Sequence, residues 1–260
     1  MGFRYSFLVL LPRIVRSNFF VYLIIRKFAK LVCRFLLLED GFNILKHVDK
    51  DKIKNRVLID VGSNDGTSHA MIRQFCKSDL IVSFDPVQSM KAKKSHIHHE
   101  CALGEAHQQI RLYVPKVKGF HLTQYSSNSK IDISDLLGRD LGVKGTDIEF
   151  SEVLTQVRTL DSFNLNPSFI KIDVEGQELL VLKGSVKTIK EFNPILLVEI
   201  NSIEMHHAIT HWLGQFEYFS IRFIGKRWKV MEKSEYDSTL NNYVFVNSKS
   251  QGLIQVDEFQ

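Results

Sequence analysis

Short apolar runs alternate with stretches of helical spacing along the chain from about residue 56 onward. The runs have the length of buried strands, and they lie at residues 57–61, 80–84, 169–173 and 195–200. The helical stretches follow them at residues 65–77, 86–94, 177–183 and 202–213. Because the runs are apolar throughout and each precedes a helix, the pattern predicts an α/β fold with a parallel sheet covered on both faces. Ligands of such sheets bind at the carboxyl ends of the strands.

Two other parts of the chain depart from this alternation. Residues 219–223 and 243–246 are predicted to be antiparallel closing strands, and residues 226–229 between them are basic and aromatic. That basic segment either contacts an anionic or carbohydrate ligand or forms a solvated hairpin. Residues 115–149 are polar and glycine-containing, which is typical of an insertion above the strand ends. The insertion is either a mobile lid or a plain surface excursion.

The first 38 residues form a basic, apolar arm with seven basic side chains and no acidic one. Its longest clean apolar run, Phe19–Ile25, is much shorter than the ~20 residues that a bilayer requires. The later part of the arm is amphipathic and predicts a helix. Such a helix either associates peripherally with an anionic membrane surface or packs its apolar face on the domain. The expected organisation is a helical arm over residues 1–50 and one domain over residues 51–260.

The charge and cysteine content exclude some classes of protein. The 260-residue chain has a net charge of +5, but 27 basic residues stand against 29 acidic ones outside the arm. A mildly acidic body argues against a nucleic-acid partner. Cys33, Cys76 and Cys101 are few, odd in number and far apart, which is typical of a reducing compartment. A cytoplasmic location is therefore expected, with the membrane association of the arm left open.

A strand, a glycine turn and a helix start follow one another in Val57–Thr67. Gly62 allows the backbone to approach a ligand closely, and the helix start offers unpaired amide donors. Asp60 ends the strand, and either Asn64 or Asp65 can cap the helix and contact the ligand. Carboxylates around the turn favour a ligand with an ammonium and a sulfonium over a pyrophosphate. The absence of G-x-G-x-x-G points the same way.

The next predicted strand ends in Phe84-Asp85-Pro86, 25 residues after Asp60. An acidic side chain at this position typically accepts hydrogen bonds from ribose hydroxyls. Pro86 can begin the following helix, where its missing N–H is harmless. The turn and Asp85 together predict a site for a nucleoside-containing cofactor.

A second block of the chain is longer and more specific than the glycine turn. It contains the segments Thr159–Phe163 (TLDSF), Phe169–Glu178 (FIKIDVEGQE), Leu182–Gly184 (LKG) and Pro194–Ile200 (PILLVEI). These segments and Ile59–Gly66 (IDVGSNDG) resemble, in order and spacing, the FkbM family of S-adenosylmethionine-dependent methyltransferases. The resemblance covers approximately residues 56–201.

The resemblance implies a Rossmann-like class I methyltransferase fold with a seven-stranded, mostly parallel sheet and helices on both faces. It places S-adenosyl-L-methionine at the ends of the first two strands. Asp85 would bind the ribose, and Ala102 and Leu103, after a third strand, would lie beside the adenine. The residues that would hold the methionine part of the cofactor are Asp60, Gly62, Ser63, Asn64, Asp65 and Gly66.

Three carboxylates are candidates for the chemistry of methyl transfer. The enzyme must align an acceptor oxygen, remove its proton and exclude water. Asp173 or Glu199 is expected to bind the acceptor or act as the base, and Glu175 to support them. No metal site is expected. His207 and His211 have the i, i+4 spacing of a metal pair, but no HExxH motif is present.

The histidines leave two further alternatives open. Those at positions 96, 98 and 99 and at 206, 207 and 211 form two clusters in the sequence. Either cluster can hold a structural zinc, and the second can carry a histidine that shuttles a proton or binds the acceptor.

The expected function is S-adenosylmethionine-dependent O-methylation of a sugar, glycan, glycolipid or small-molecule hydroxyl. The expected partner is accordingly a small-molecule or saccharide acceptor. Two alternatives stay open. One is a catalytically inactive methyltransferase-like binding protein, and the other is a nucleotide-binding oxidoreductase, which the missing G-x-G-x-x-G disfavours.

Overall fold

The computed structural model describes residues 41–64, 66–76, 79–87, 95–224, 227–232 and 235–254. Within them, residues 108–156 form one compact unit, and residues 41–107 with 157–254 form a second, larger one. The arm at residues 1–38, Asp65 and most of the helix predicted at 86–94 lie outside the described residues. None of the described helices is both long enough and apolar enough to cross a bilayer.

The strands and helices are numbered in chain order over the described residues. The strands are β1 (Val57–Val61), β2 (Ile81–Phe84), β3 (His96–His99), β4 (Ala102–Leu103), β5 (Gln108–Val117), β6 (Phe120–His121), β7 (Ile148–Arg158), β8 (Pro167–Ile172), β9 (Ile195–Glu199), β10 (Phe219–Ile224), β11 (Arg227–Val230) and β12 (Asn242–Val246). The helices are α1 (Thr67–Phe75), α2 (Lys130–Leu141), α3 (Glu178–Lys183), α4 (Val186–Phe192), α5 (Ile203–Gly214) and α6 (Ser248–Gln251).

The larger unit contains a mixed sheet of eight strands in the order β11-β10-β12-β9-β8-β1-β2-β3. The neighbours from β9 to β3 are all parallel, as the unbroken apolar runs predict. The two predicted closing strands are confirmed as β10 and β12, and both β12 pairings are antiparallel. The expected count of seven strands is wrong. Residues 227–229 of the basic segment lie in an eighth strand, β11, which pairs with β10 and in which Trp228 is buried and contacts Phe223 and His47.

The two faces of this sheet are buried in different ways. One face carries the main hydrophobic core, in which strand residues such as Ile59, Ile170 and Val198 pack with helical residues such as Leu182 and Ile209. The opposite face is also buried, but it contains a row of polar side chains. The row follows from the strand register, which pairs Asp60 of β1 with Ser83 of β2 and Lys171 of β8. All three are almost completely buried.

The segment TLDSF has a structural role in the larger unit. Asp161 lies in a single 3₁₀ turn, and its carboxylate accepts from the backbone N–H groups of Lys187 and Thr188 at 2.9 and 2.8 Å. These donors belong to the first turn of α4, where no earlier carbonyl of the helix can pair with them. Asp161 therefore caps α4 and stabilises it through both hydrogen bonds and the helix dipole.

The smaller unit corresponds largely to the polar stretch predicted as an insertion. Strands β5 and β6 form an antiparallel hairpin, and α2 begins at Ser129, whose side chain accepts from Asp132 N. Ile133 and Leu137 of α2 pack against Leu122 in a separate small core. The stretch is thus a folded unit with its own core, and its role as a lid stays a prediction.

The backbone at Gly184, at the end of α3, closely approaches another backbone segment of the larger unit. A Cβ atom at this position would overlap the backbone carbonyl of Gly104, whereas a Cβ at Gly145 would meet nothing within 4 Å. We expect Gly184→Ala to lower the free energy of unfolding by about 1–3 kcal/mol through overpacking. Gly145→Ala should change it by less than ~0.5 kcal/mol. Urea unfolding followed by circular dichroism measures both. Equal effects would contradict the close approach of the two backbones.

Candidate active site

The carboxyl ends of β1, β2, β8 and β9 bring together the turn after β1 and three of the predicted carboxylates. Asp85 follows β2, Asp173 follows β8 and Glu199 ends β9. Glu175 lies on the loop after β8 with its side chain exposed. Ala102 and Leu103 form β4, which pairs with β7 and not with the main sheet. Leu103 is buried in the main hydrophobic core.

The turn after β1 is in close contact with the end of β8 at Gly62. This glycine has a φ of +77°, and a Cβ on it would overlap the carbonyl oxygen of Asp173. On the two sides of this contact, Gly62 N donates to Phe84 O at 2.9 Å and Asp173 N donates to Val61 O at 3.1 Å. Because only glycine fits this conformation and this space, the turn and the Asp173 loop are held in contact.

Asp85 links the turn after β1 to the turn after β2. Its carboxylate accepts from Asn64 N and from Val87 N, both at 2.9 Å, and the residue is 8% exposed. The position of Asp85 at the end of β2 and its hydrogen-bond-accepting carboxylate fit the predicted contact with a ribose.

Helix α1 begins at Gly66 without a side-chain cap. Gly66 is in the left-handed region, with a φ of +80°, and no side-chain hydrogen bond caps the helix there. Ser63 Oγ, just before, is buried and has no hydrogen-bond partner within the described parts of the chain. The Ser63 hydroxyl beside this helix start can donate a hydrogen bond to the carboxylate of an amino acid. The turn therefore fits the methionine part of the predicted cofactor.

Asp60 lies beneath the turn, with none of its surface exposed. Both of its carboxylate oxygens lie 2.9 Å from Ser68 Oγ on α1. The pKa of Asp60 is raised to about 6, mainly by burial. Lys171 and the hydrogen bond from Ser68 act to lower it, and the charges of Asp173 and Asp85 act to raise it. Asp60 is thus too deeply buried to contact a ligand directly. It acts on the site by holding the turn and α1 in place.

Asp173 and Glu199 form a carboxyl pair at the ends of adjacent parallel strands. The register pairs Ile172 with Val198, so Asp173 and Glu199 are the next residues along the two strands. Their side chains are hydrogen-bonded to each other. The pKa of Glu199 is raised well above its ordinary value, first by burial and then by the negative charge of Asp173. Glu199 is therefore the carboxyl group of the pair that keeps a proton more readily.

The loop after Asp173 is fixed by Glu178, a residue that the sequence analysis did not single out. Glu178 Oε1 accepts from Val174 N at 3.1 Å and from Gly176 N at 3.0 Å. Glu175 and Gly176 between them have positive φ values of 53° and 93°. The signal was present in the E-G-x-E spacing, because a carboxylate at a helix start commonly accepts from the preceding backbone.

Lys171 is the second residue of the site that sequence reasoning missed. It lies within the otherwise apolar strand β8, is 1% exposed, and its Nζ lies 2.6 Å from Asp173 Oδ2. A lysine inside a buried strand is itself a signal, because an ammonium cannot lose its water without a nearby opposite charge.

The histidines do not form a metal site in the described parts of the chain, where no three His, Cys, Asp or Glu side chains can hold an ion. Ser83 Oγ lies 2.7 Å from His96 Nε2 and 2.9 Å from His98 Nδ1. The hydroxyl can donate only one proton, so one of these nitrogens must donate to it. His206 is fully buried beside Tyr243, and burial lowers its pKa.

Aromatic side chains cluster at the ends of β2 and β3. Phe84 stacks on His99 with a centroid distance of 5.1 Å, and Phe163 contacts both rings at 4.8 Å. The guanidinium of Arg158 lies over Phe163 at 4.1 Å. Flat rings next to the predicted ribose-binding Asp85 are suited to packing beside a nucleobase.

These features define an α/β protein with a ligand site at the carboxyl ends of parallel strands, built from a glycine turn and a cluster of carboxylates. The methyltransferase FkbM domain matches residues 60–220, more than half of the sequence. The chain therefore belongs to the FkbM methyltransferase domain family, and the resemblance of its motifs is confirmed.

Two solved structures are similar to this chain. Methyltransferase FkbM from Methylobacillus flagellatus has 16% identity and a TM-score of 0.41. That match covers 74% of this chain, which spans 43% of the length of the M. flagellatus structure. A putative hemolysin from Lactococcus lactis has 12% identity and a TM-score of 0.36 over 77% of this chain and 88% of its own. No curated protein matches the sequence.

The raised pKa of Asp60 predicts a specific pH dependence of stability. Between pH 4 and 6 the folded state holds a proton that the unfolded state releases, so this group stabilises the fold less as the pH rises. We expect wild type to lose ~2 kcal/mol relative to Asp60→Asn between pH 4 and 7. Urea unfolding at several pH values measures this difference. Parallel pH curves for the two proteins would contradict the raised pKa.

Proposed function

We propose that the chain transfers a methyl group from S-adenosyl-L-methionine to a hydroxyl oxygen of a small-molecule or saccharide acceptor. The observation that carries this proposal is the contact between the Gly62 turn and the Asp173 loop. It joins the cofactor turn to a partly exposed carboxylate that is suited to act as a base. Membership of the FkbM methyltransferase domain family supports methyl transfer, and the carboxylates support an oxygen acceptor.

The proposed cofactor site is divided between the turn and the two strands beside it. The turn residues Gly62, Ser63, Asn64 and Gly66 surround the methionine part, and Ser63 Oγ donates a hydrogen bond to it. Asp60 lies behind them and fixes α1 through Ser68. Asp85 accepts from the ribose hydroxyls. Ala102 and Leu103 flank the adenine, and the aromatic cluster of Phe84, His99 and Phe163 closes the same side. Asp65, which lies outside the described residues, stays a proposed contact.

When bound, S-adenosyl-L-methionine supplies a methyl group on a positively charged sulfur. The residues of the chain must then orient the acceptor hydroxyl in line with that methyl and remove its proton. Asp173 is 32% exposed, whereas Glu199 is buried and bonded to it, so Asp173 is the carboxylate that can reach the acceptor. Glu175 and Glu178 support the loop that carries Asp173, Glu178 through its backbone hydrogen bonds.

The acceptor class is proposed from chemistry alone. A hydroxyl of a sugar, glycan or glycolipid can place its oxygen at Asp173 and its remaining polar groups toward the exposed loop. The basic arm over residues 1–38 favours a membrane-borne acceptor, because it is cationic and apolar.

Cofactor binding is the first measurement. We expect isothermal titration with S-adenosyl-L-methionine to show binding by wild type, and Asp85→Ala to weaken it about 10- to 100-fold, as the loss of charge-assisted hydrogen bonds should. Asp51→Ala, which removes an exposed carboxylate, serves as the matched control and should bind like wild type.

Two outcomes would oppose this assignment. Absence of binding by folded wild type would remove the basis of the proposed function. Equal affinities of wild type and Asp85→Ala would place the cofactor elsewhere. Circular dichroism of each variant shows whether it is folded before the titration is interpreted.

A further inference from the structure

The environment of Lys171 requires a negative partner. The strand register places Lys171 between Asp60 of β1 and Leu197 of β9, within a sheet that is covered on both faces. With 1% of its side chain exposed, its ammonium cannot be hydrated, so its charge must be balanced inside the protein. Asp173 provides that balance at 2.6 Å.

The strand geometry explains how a core lysine reaches the rim of the site. Alternate residues of a strand point to the same face, so Lys171 and Asp173 share one face of β8 and its continuation. The two residues are ~6.6 Å apart along the strand, a distance that an extended lysine side chain spans. The ammonium thus approaches Asp173 from the interior of the sheet, while 32% of the Asp173 side chain stays exposed to solvent.

The site contains more carboxyl groups than this one cation can neutralise. Lys171 lowers the pKa of both Asp60 and Glu199, and it is paired with Asp173. Asp60 on β1 and Glu199 on β9 interact electrostatically with both Lys171 and Asp173, and Glu178 on α3 interacts with Asp173. Asp85 after β2 acts on Asp60, and Glu175 on the loop acts on Glu199. Two adjacent carboxyls beside one ammonium reach their lowest energy with one proton between them.

The position of that proton follows from the surroundings of each carboxyl group. Asp173 is partly exposed and contacts the ammonium, and both conditions favour a carboxylate. Glu199 is almost completely buried and hydrogen-bonded to Asp173, and both conditions favour a neutral acid. We infer that Lys171 is a positioning residue that holds Asp173 as the ionised base of the methyl-transfer reaction, while Glu199 keeps the proton of the pair. This inference rests on the proposed function.

The proposed step conserves atoms and charge. The acceptor hydroxyl gives its proton to Asp173, and its oxygen uses the released electron pair to form a bond to the methyl carbon. The carbon–sulfur bond breaks with its electrons going to sulfur, which becomes neutral. Asp173 then releases the proton to solvent through its exposed side and returns to the carboxylate. Glu199 stays protonated and Lys171 stays charged throughout.

The first test observes the carboxyl groups directly and needs no acceptor. Carbon-13 NMR of carboxyl-labelled protein gives the titration of each group, with Asp173→Asn and Glu199→Gln used for assignment. We expect Asp173 to ionise at a lower pH than Glu199. Lys171→Met should move the Asp173 titration upward by about one to three pH units, whereas Lys183→Met, which breaks a surface pair with Glu105, should leave it in place.

The second test measures transfer of labelled methyl groups from S-adenosyl-L-methionine to a panel of saccharide acceptors. For Lys171→Met we expect a fall in kcat at pH 7 of about 10-fold or more and a shift of the acid limb of the kcat profile to higher pH. KM and cofactor affinity should change little. Asp173→Asn should lose ~100-fold or more in kcat, and Glu199→Gln, which mimics a protonated acid, should lose far less than Asp173→Asn does.

The outcomes separate the inference from the proposed function. Wild type that neither binds the cofactor nor transfers methyl groups would overturn the proposed function and the inference with it. Active wild type whose Lys171→Met variant keeps the original acid limb would overturn the inference alone. If Lys171→Met does not fold, the kcat of Glu199→Gln still tests which carboxyl group is the ionised base. A loss of kcat as large as that of Asp173→Asn would show that Glu199 is the ionised base.

Discussion

The contact between Gly62 and the carbonyl of Asp173 is the constraint on which the site depends. It sets how closely the turn after β1 approaches the end of β8, and no side chain larger than hydrogen fits between them. The hydrogen bonds on either side, from Gly62 to β2 and from Asp173 to β1, continue the parallel pairing of three strands into the loops. The geometry of the site is thus a direct extension of the sheet, which gives it the rigidity that methyl transfer requires.

The site also depends on the row of buried polar side chains on one face of the sheet. Lys171 is surrounded by carboxyl groups of neighbouring strands, and its single charge is shared among them. Burying such a row of polar side chains lowers stability unless each of them has a hydrogen-bond partner or an opposite charge. The protonation of the carboxyl groups therefore depends on how closely the strands bring them to Lys171. Ser68 on α1 donates a hydrogen bond to Asp60, and Glu178 on α3 accepts hydrogen bonds from the backbone of the loop after Asp173.

Much of this fold follows from pattern alone. The unbroken apolar runs predict the parallel strands because a strand buried on both faces has no polar side to alternate with. The glycine turn is also predictable, since strand, turn and helix start are contiguous in sequence. The sequence predicts strand β11 only as one of two alternatives, a solvated hairpin, and its antiparallel pairing with β10 fits that alternative. The burial of Trp228 could not be predicted, because the neighbouring residues of Arg227–Val230 have a solvated composition.

The roles of individual carboxylates were less accessible to sequence reasoning. Asp60 and Asp85 both follow apolar runs, yet one is sealed beneath α1 and the other links two turns. That distinction depends on which helix covers which face, and local sequence does not encode it. The pairing of Asp173 with Glu199 likewise depends on the register of β8 and β9, which lie more than twenty residues apart in the chain.

The buried ion pair of Lys171 and Asp173 also bears on how such sequences evolve. Replacing Asp173 removes the carboxylate that the buried ammonium contacts directly, and removing one partner of a buried pair typically costs about 3–5 kcal/mol. A descendant that no longer used the acceptor would therefore keep Asp173 in order to remain folded. Selection for stability alone is enough to preserve the pair. We therefore expect substitutions of Lys171 and Asp173 to occur together within the family.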